Sequence, residues 1–156
     1  KLSDLFRKRE ALVRPARHWM PPQLGETIFA FGFPLRPILP HSLNMSFGIV
    51  SAEVGIEAQK YQISAPIQKG NSGGPVYDIC GNLVGIVASK LVPGREISPE
   101  NISFAIRNEN LISVCRKKFA IDLAQEESKE PFAPVALAKL MQHLCVEVEC
   151  WKEPSK

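Results

Sequence analysis

The sequence predicts a mostly β chain that ends in helices. Short runs rich in β-branched and aromatic residues occupy positions 61–67, 76–79 and 83–88. The last two runs are joined by Cys80, Gly81 and Asn82, which predicts a β-hairpin with Gly81 and Asn82 in its turn. Helical spacing of apolar residues begins only after position 108. We therefore expect a β-rich domain followed by a helical extension.

The extension contains three predicted elements. A helix is predicted after Asn108 by an apolar stripe and a basic last turn, the stripe being formed by Leu111, Ile112, Val114 and Cys115. Residues 125–134 are acidic and contain two prolines, which predicts a linker. Residues 135–144 have the pattern of an amphipathic helix, and the alternation over residues 145–151 predicts a short extra strand.

Composition agrees with a folded domain. The 156 residues are enough to bury one core, with 45% apolar and 22% charged residues. The formal net charge is +3, and six of the 19 basic residues fall within the first 17 positions. Phe6 is the one aromatic residue there, too few for base stacking along a nucleic acid, so we expect a solvated face or linker and no nucleic acid. No apolar run of 18 residues predicts a membrane span.

The four cysteines do not form a metal pattern. Cys80, Cys115, Cys145 and Cys150 lack the paired spacing and the histidines of a four-ligand site, so no metal or other cofactor is expected. Their even number allows two disulfides with three connectivities. On one extended strand Cys145 and Cys150 would point to opposite faces, which disfavours their pairing. We expect buried thiols.

Residues 70–75, Gly-Asn-Ser-Gly-Gly-Pro, carry the chemistry. A serine flanked by glycines can expose its hydroxyl while backbone N–H groups turn toward one point, as acyl transfer requires. Ser72 is then the nucleophile, and the N–H groups of Gly70 and Ser72 would bind the oxyanion of the tetrahedral intermediate. Glycine at 70 and 73 permits positive φ. The plainer interpretation is a tight turn in which Ser72 is only a polar residue.

The G-N-S-G-G-P box resembles that of the trypsin-like serine peptidases, in particular their HtrA-like bacterial branch. Residues 25–35, with G-F-P, resemble the strand and turn that open the second barrel of this family, and residues 46–52 resemble its next strand. Residues 102–106 resemble the F-A-I strand that closes it. The resemblance covers residues 24–107 and implies a six-stranded antiparallel β-barrel.

This resemblance divides the chain into a lead-in (residues 1–24), the barrel (residues 25–107) and the C-terminal extension (residues 108–156). It implies a serine endopeptidase whose catalytic His and Asp come from a first barrel that precedes the matched residues. Of the histidines His18, His41 and His143, none has the sequence context of the family's base, and Asp4 is a faint match to its aspartate.

The chain is thus expected to be the C-terminal half of a peptidase, inactive alone for lack of the histidine. Its start at Lys1 favours a fragment of a longer protein. The alternative is a degenerate, inactive relative that serves as a peptide-binding or regulatory module. The family resemblance favours a periplasmic or secreted location.

The resemblance also implies a specificity pocket for the residue before the cut. Its walls would include the residues Pro66, Ile67, Gln68, Lys69, Val87, Ala88, Ser89 and Lys90. Pro66 stands where trypsin has an acidic residue, so cleavage after Lys or Arg is not expected. We expect cleavage after a small or medium apolar residue instead. Ala88 would offer backbone groups to an extended polypeptide substrate. A second barrel alone would expose the apolar surface that normally packs on the first barrel. We therefore expect either the first barrel or a second copy of the chain as a further partner. The tail is expected to pack on the barrel, with autoinhibition or partner binding as the alternative.

Overall fold

The computed structural model describes residues 16–17, 20–35, 42–55, 59–88, 102–120 and 127–148. Six strands lie in the barrel, in chain order β1 (Thr27–Gly32), β2 (Asn44–Ala52), β3 (Lys60–Ile63), β4 (Pro75–Asp78), β5 (Leu83–Ala88) and β6 (Ser103–Arg107). The helical elements are α1 (Asn108–Val114), a π-helical turn (Cys115–Phe119) and α2 (Pro134–Leu144).

The six strands form a closed antiparallel barrel in the order β1-β2-β3-β6-β5-β4. β1 pairs with both β2 and β4, which closes the sheet. The predicted hairpin is confirmed: Asp78 N–H donates to Asn82 O over 3.0 Å, and Gly81 adopts φ +72°. The Asp78 carboxylate also accepts the Asn82 N–H over 2.8 Å, which fixes the turn. The mostly β fold predicted from the sequence is therefore confirmed.

Alternation along the strands fills the barrel with apolar side chains. Ile28, Ala30, Val50, Tyr61, Ile63, Val76, Val84, Val87 and Ala105 form this interior, together with Ala65 and Ile67. Tyr61 is its largest fully buried side chain, and burial raises the pKa of its hydroxyl. Gly85 makes room for that ring, because a Cβ there would lie 2.8 Å from Tyr61 Oη.

A second apolar cluster lies outside the barrel, under α2. Phe29 and Phe31 of β1 point outward and are covered by Leu137 and Met141 of α2, both fully buried. Pro134 occupies the first turn of α2, where its missing N–H needs no partner. The helix predicted over residues 135–144 thus begins one residue earlier and joins the extension firmly to the barrel.

Polar groups attach the lead-in to the barrel. Arg17 forms an ion pair with Glu26 and lies 3.5 Å from the Asp78 carboxylate. The Arg17 backbone N–H donates to Leu83 O over 2.9 Å, and the Asn108 amide donates to the same carbonyl over 3.1 Å. These contacts link the lead-in, the hairpin and the start of α1.

The predicted extra strand over residues 145–151 is wrong for its described part. Cys145 has extended backbone (φ −81°, ψ 134°), but residues 145–148 belong to no strand. In a closed barrel every strand already has two neighbours, so no edge remains for this segment to pair with. Residues 149–151 lie outside the described chain.

The other expectations for the extension are met with one local difference. The helix after the barrel begins at Asn108 but widens into the π-helical turn over its basic end, which closes at Ala120 with φ +54°. Residues 127–133 are irregular, as the acidic linker predicts. No helix in the described ranges is long and apolar enough to cross a membrane.

We expect Leu137→Ala to lower the free energy of unfolding by about 2–5 kcal/mol, because it leaves a cavity between α2 and β1. Val135→Ala is the matched control: this side chain lies two residues earlier on α2 and is 68% exposed, so its truncation should change stability by no more than about 0.5 kcal/mol. Urea unfolding measures both. Equal effects would mean that α2 does not dock as described.

Candidate active site

Two successive turns present Ser72 at the surface. Asn71 N–H donates to Gln68 O and Gly74 N–H donates to Asn71 O, each over 3.0 Å. Gly70 and Gly73 adopt φ +104° and +86°, a region that side chains other than glycine rarely enter. The side chain of Ser72 is exposed between them. The loop therefore has the backbone conformation that the sequence predicts.

The loop is tied to β5 by a pair of backbone hydrogen bonds. Gly73 N–H donates to Val87 O over 2.9 Å, and Val87 N–H donates to Gly74 O over 2.8 Å. These bonds continue the β4–β5 ladder up to the residue after Ser72. The position of Ser72 is thus held by the barrel itself.

On its other side the loop packs against the end of β1, backbone against backbone. A Cβ at position 74 would overlap Phe31 O, and one at position 70 would lie 2.5 Å from Phe33 O. A Cβ at Gly32 would lie 2.9 Å from Asn71 Cα. Glycine is required at all three positions, because only its lack of a side chain permits this approach.

Asn71 points inward beneath the loop. Only 7% of its surface is exposed, and its Oδ1 lies beside Gly32 with no donor among the described residues. The N–H groups of Gly70 and Ser72 likewise have no acceptor among the described residues. Both residues are exposed at the surface of the loop.

Ser72 borders a cleft of about 580 Å³. Its lining comes from three segments, namely Phe31, Gly32 and Phe33; Gly70, Ser72, Gly73, Gly74, Pro75 and Tyr77; and Leu144, Cys145, Val146, Glu147 and Val148. The third segment begins at the last residue of α2 and is separated from Ser72 by more than 70 positions in the sequence. Sequence reasoning missed this juxtaposition, since no local pattern relates the two segments.

The residues predicted to line the specificity pocket do not line this cleft. Pro66, Gln68 and Lys69 are exposed, whereas Ile67 and Val87 are buried in the barrel interior. Ala88 is buried, and none of these six residues lines the cleft. Ser89 and Lys90 lie outside the described residues.

The structure brings no described histidine into the cleft. His143 is exposed on α2, and Asp4, His18 and His41 lie outside the described residues. Within the described ranges no cluster of His, Cys, Asp or Glu could hold a metal ion. The titratable side chains that line the cleft are those of Tyr77, Cys145 and Glu147, and burial raises the pKa of the Cys145 thiol to about 11. Cys115 and Cys145 are thiols, as expected, but they are half-buried rather than buried.

A family model described as "Trypsin-like peptidase domain" matches residues 8–86, half of the chain, including the Ser72 loop. The chain belongs to this family. The Serine protease Do-like HtrA of Lactobacillus helveticus is 29% identical over 100 residues, covering 59% of this chain and 24% of that protein. The uncharacterized protein y4bJ of Sinorhizobium fredii is 35% identical over 135 residues, covering 82% of this chain and 21% of that protein.

A solved structure extends the likeness to the fold. The serine endoprotease from Yersinia pestis superposes with a TM-score of 0.54 and 28% identity over 67% of this chain and 34% of that one. The trypsin-like, HtrA-type resemblance seen in the G-N-S-G-G-P box is therefore confirmed. The chain spans about a quarter or less of the two curated relatives.

Proposed function

We propose that this trypsin-like domain supplies the nucleophile of a serine endopeptidase. Ser72 Oγ attacks the scissile carbonyl carbon while its proton passes to a base, and the negative charge develops on the carbonyl oxygen. Collapse of this intermediate expels the amine of the leaving peptide, which takes the proton, and leaves an ester on Ser72. Water then hydrolyses the ester by the same steps in reverse order.

The exposed hydroxyl of Ser72 between two positive-φ glycines is the observation that carries this proposal. The N–H groups of Gly70 and Ser72 lie on the same loop and serve as the oxyanion donors. Removing one such donor costs roughly 3–4 kcal/mol of transition-state stabilisation in measured cases. The hydrogen bonds of Gly73 and Gly74 to Val87 support this role, because they keep the loop rigid.

The base and its orienting carboxylate come from a preceding barrel, and this chain alone is inactive. His143 is exposed and does not line the cleft, which supports a base from elsewhere in the protein. Most of each curated relative lies outside the matched region, which leaves room for such a barrel. Within this chain, Asp4 is the alternative source of the carboxylate. Without a base, the serine hydroxyl is a poor nucleophile at neutral pH.

The substrate is an extended polypeptide with a small or medium apolar residue before the cut. Pro66 at the predicted base of the pocket offers no charge to a Lys or Arg side chain, which supports this preference. Gln68 and Lys69 lie exposed just before the nucleophile loop, where a peptide could reach them. Ala88, the last residue of β5, is paired with Phe104 of β6, so the peptide would pair beyond this end of the strand.

A fluorophosphonate tests the nucleophile. In the full-length protein we expect one covalent adduct by intact mass, formed as Ser72 Oγ bonds to phosphorus and fluoride leaves. Ser72→Ala should abolish it, and Ser42→Ala, at another exposed serine, should not. The 156-residue chain alone should react at least about 10³-fold more slowly, because it lacks the base. No adduct in the full-length protein would contradict the proposal and favour the inactive peptide-binding module.

An apolar stripe on β2 supports the preceding barrel as a partner. Met45, Phe47 and Ile49 alternate along the strand and point outward, with Phe47 69% exposed. They lie beside Phe29 and Phe31 of β1, which α2 covers. A stripe of this kind marks a surface that packs on another protein surface. In the isolated chain, a second copy takes the place of the missing barrel.

Sedimentation velocity tests this surface. We expect the isolated 156-residue chain to show concentration-dependent self-association, and Phe47→Asp to shift it toward monomer, because a buried charge opposes an apolar contact. Val54→Asp is the control, since Val54 is 67% exposed just beyond the end of β2. A wild-type chain that sediments as a single monomer at all concentrations would refute the partner proposal.

A further inference from the structure

The segment before α2 is fixed to the β4–β5 hairpin through its backbone. Asn82 Oδ1 accepts the Ser128 N–H over 2.7 Å, and Asn82 Nδ2 donates to Ser128 O over 2.9 Å. Because Asn82 is only 2% exposed, water competes poorly for these two bonds. Phe132 N–H then donates to Ile79 O over 2.9 Å. Residues 128–132 are therefore attached to the barrel before the helix begins.

α2 carries the chain from the hairpin to the Ser72 cleft. Leu137 and Met141 are fully buried in the cluster that covers β1. The helix ends where Cys145 N–H donates to Met141 O over 2.8 Å. Residues 144–148, the cleft wall, then line the cleft together with the Ser72 loop and the end of β1. The cleft wall thus follows a helix that is itself fixed to the barrel.

The barrel occupies two other sides of the Ser72 loop. On one side Gly73 and Gly74 are bonded to Val87 of β5, and on the other side the loop packs against the carbonyls at the end of β1. Within the described part of the chain, the open space beside the exposed side chain of Ser72 is the cleft that residues 144–148 border. A molecule that reaches Ser72 across this surface therefore enters a space that the cleft wall limits.

The cleft is small compared with folded polypeptide. Its volume of about 580 Å³ lies in the range of clefts that take small ligands. An α-helix with its side chains is about 10–12 Å across, so roughly one helical turn would fill this volume. A few residues of an extended chain fit, whereas a folded domain does not.

We propose that residues 144–148 are a fixed wall that limits by size what reaches Ser72. The cleft wall admits an extended segment of polypeptide and excludes a folded one. This inference rests on the proposed function, because it states which substrates of the endopeptidase reach its serine. It makes the C-terminal extension a determinant of specificity.

Access is measured in the full-length protein with Ser72→Cys, because a cysteine thiolate reacts with a maleimide without an enzymatic base. Three reagents carry the same maleimide, namely N-ethylmaleimide, an unstructured Gly-Ser peptide and a small folded protein. Relative to N-ethylmaleimide, we expect the folded-protein reagent to label position 72 at least about tenfold more slowly than it labels Ser42→Cys, at an exposed serine outside the cleft, because the folded reagent does not fit. The Gly-Ser peptide should show no such difference. Fragment-ion mass spectrometry separates these labels from those on the native cysteines.

Two variants of the cleft wall, each combined with Ser72→Cys, should act in opposite directions. Val146 and Val148 are 62% and 78% exposed, so substituting them changes the width of the cleft without disturbing the core. Val146→Ala/Val148→Ala should raise the folded-protein rate and Val146→Trp/Val148→Trp should lower the peptide rate, each about tenfold, the scale on which small changes of pocket size act. N-ethylmaleimide should react equally with all of them. Val135→Trp, at a position on α2 that is 68% exposed and does not line the cleft, should change none of the rates.

Two results would overturn the inference. One is a folded-protein reagent that labels position 72 as readily as position 42. The other is labelling rates that stay the same in both variants of the cleft wall. A general loosening of the structure would raise the rates in both variants, so it is distinguished from the opposite changes expected here.

Failure of the proposed function is separately visible, because the protein with its native Ser72 would then form no adduct with a fluorophosphonate. The maleimide rates need no catalysis and decide the inference in that case too.

Discussion

The contact on which the candidate active site depends is the backbone approach between the Ser72 loop and the end of β1. Gly32 faces Asn71, while Gly70 and Gly74 face the carbonyls of Phe33 and Phe31. The N–H of Leu35 completes the contact by donating to Lys69 O over 2.8 Å. Two segments almost 40 positions apart are thus packed without an intervening side chain. This packing leaves Ser72 outside and Asn71 inside, and it sets the direction of the loop amides.

The same strand connects the active site with the C-terminal extension. Phe31 belongs both to the cluster under α2 and to the floor of the Ser72 cleft. Tyr77 on the neighbouring strand β4 has the same double role. A change in the docking of α2 would therefore shift these two buried rings and alter the cleft, although α2 does not need to contact Ser72. This explains why the extension contributes to the site although it lies far from the nucleophile motif in sequence.

Local patterns predicted the β-rich domain and the turns of the Ser72 loop, and the family resemblance predicted the six-stranded barrel. The G-N-S-G-G-P box and the Cys80–Asn82 turn depend on backbone conformations that few residues other than glycine adopt. Glycine at these positions therefore predicts the local backbone conformation. The alternation over residues 145–151 was misleading, because a strand needs a partner edge and the closed barrel provides none. Ile67 and Val87 entered the predicted pocket by resemblance alone, and their side chains are in the core. The cleft wall could not be predicted, because it depends on how α2 docks.

The comparison of Gly74→Ala with Gly73→Ala tests the central contact most directly. A Cβ at 74 would overlap Phe31 O and lie 2.9 Å from Asn71 O, whereas one at 73 has open space and only the strain of φ +86°. The two variants are compared in the full-length protein by two measurements. One is the rate at which a fluorophosphonate modifies Ser72, and the other is the free energy of unfolding in urea. We predict that Gly74→Ala loses at least about 2 kcal/mol of stability or about 10²-fold in rate, and that Gly73→Ala loses much less. Wild-type stability and reactivity in Gly74→Ala would contradict the account.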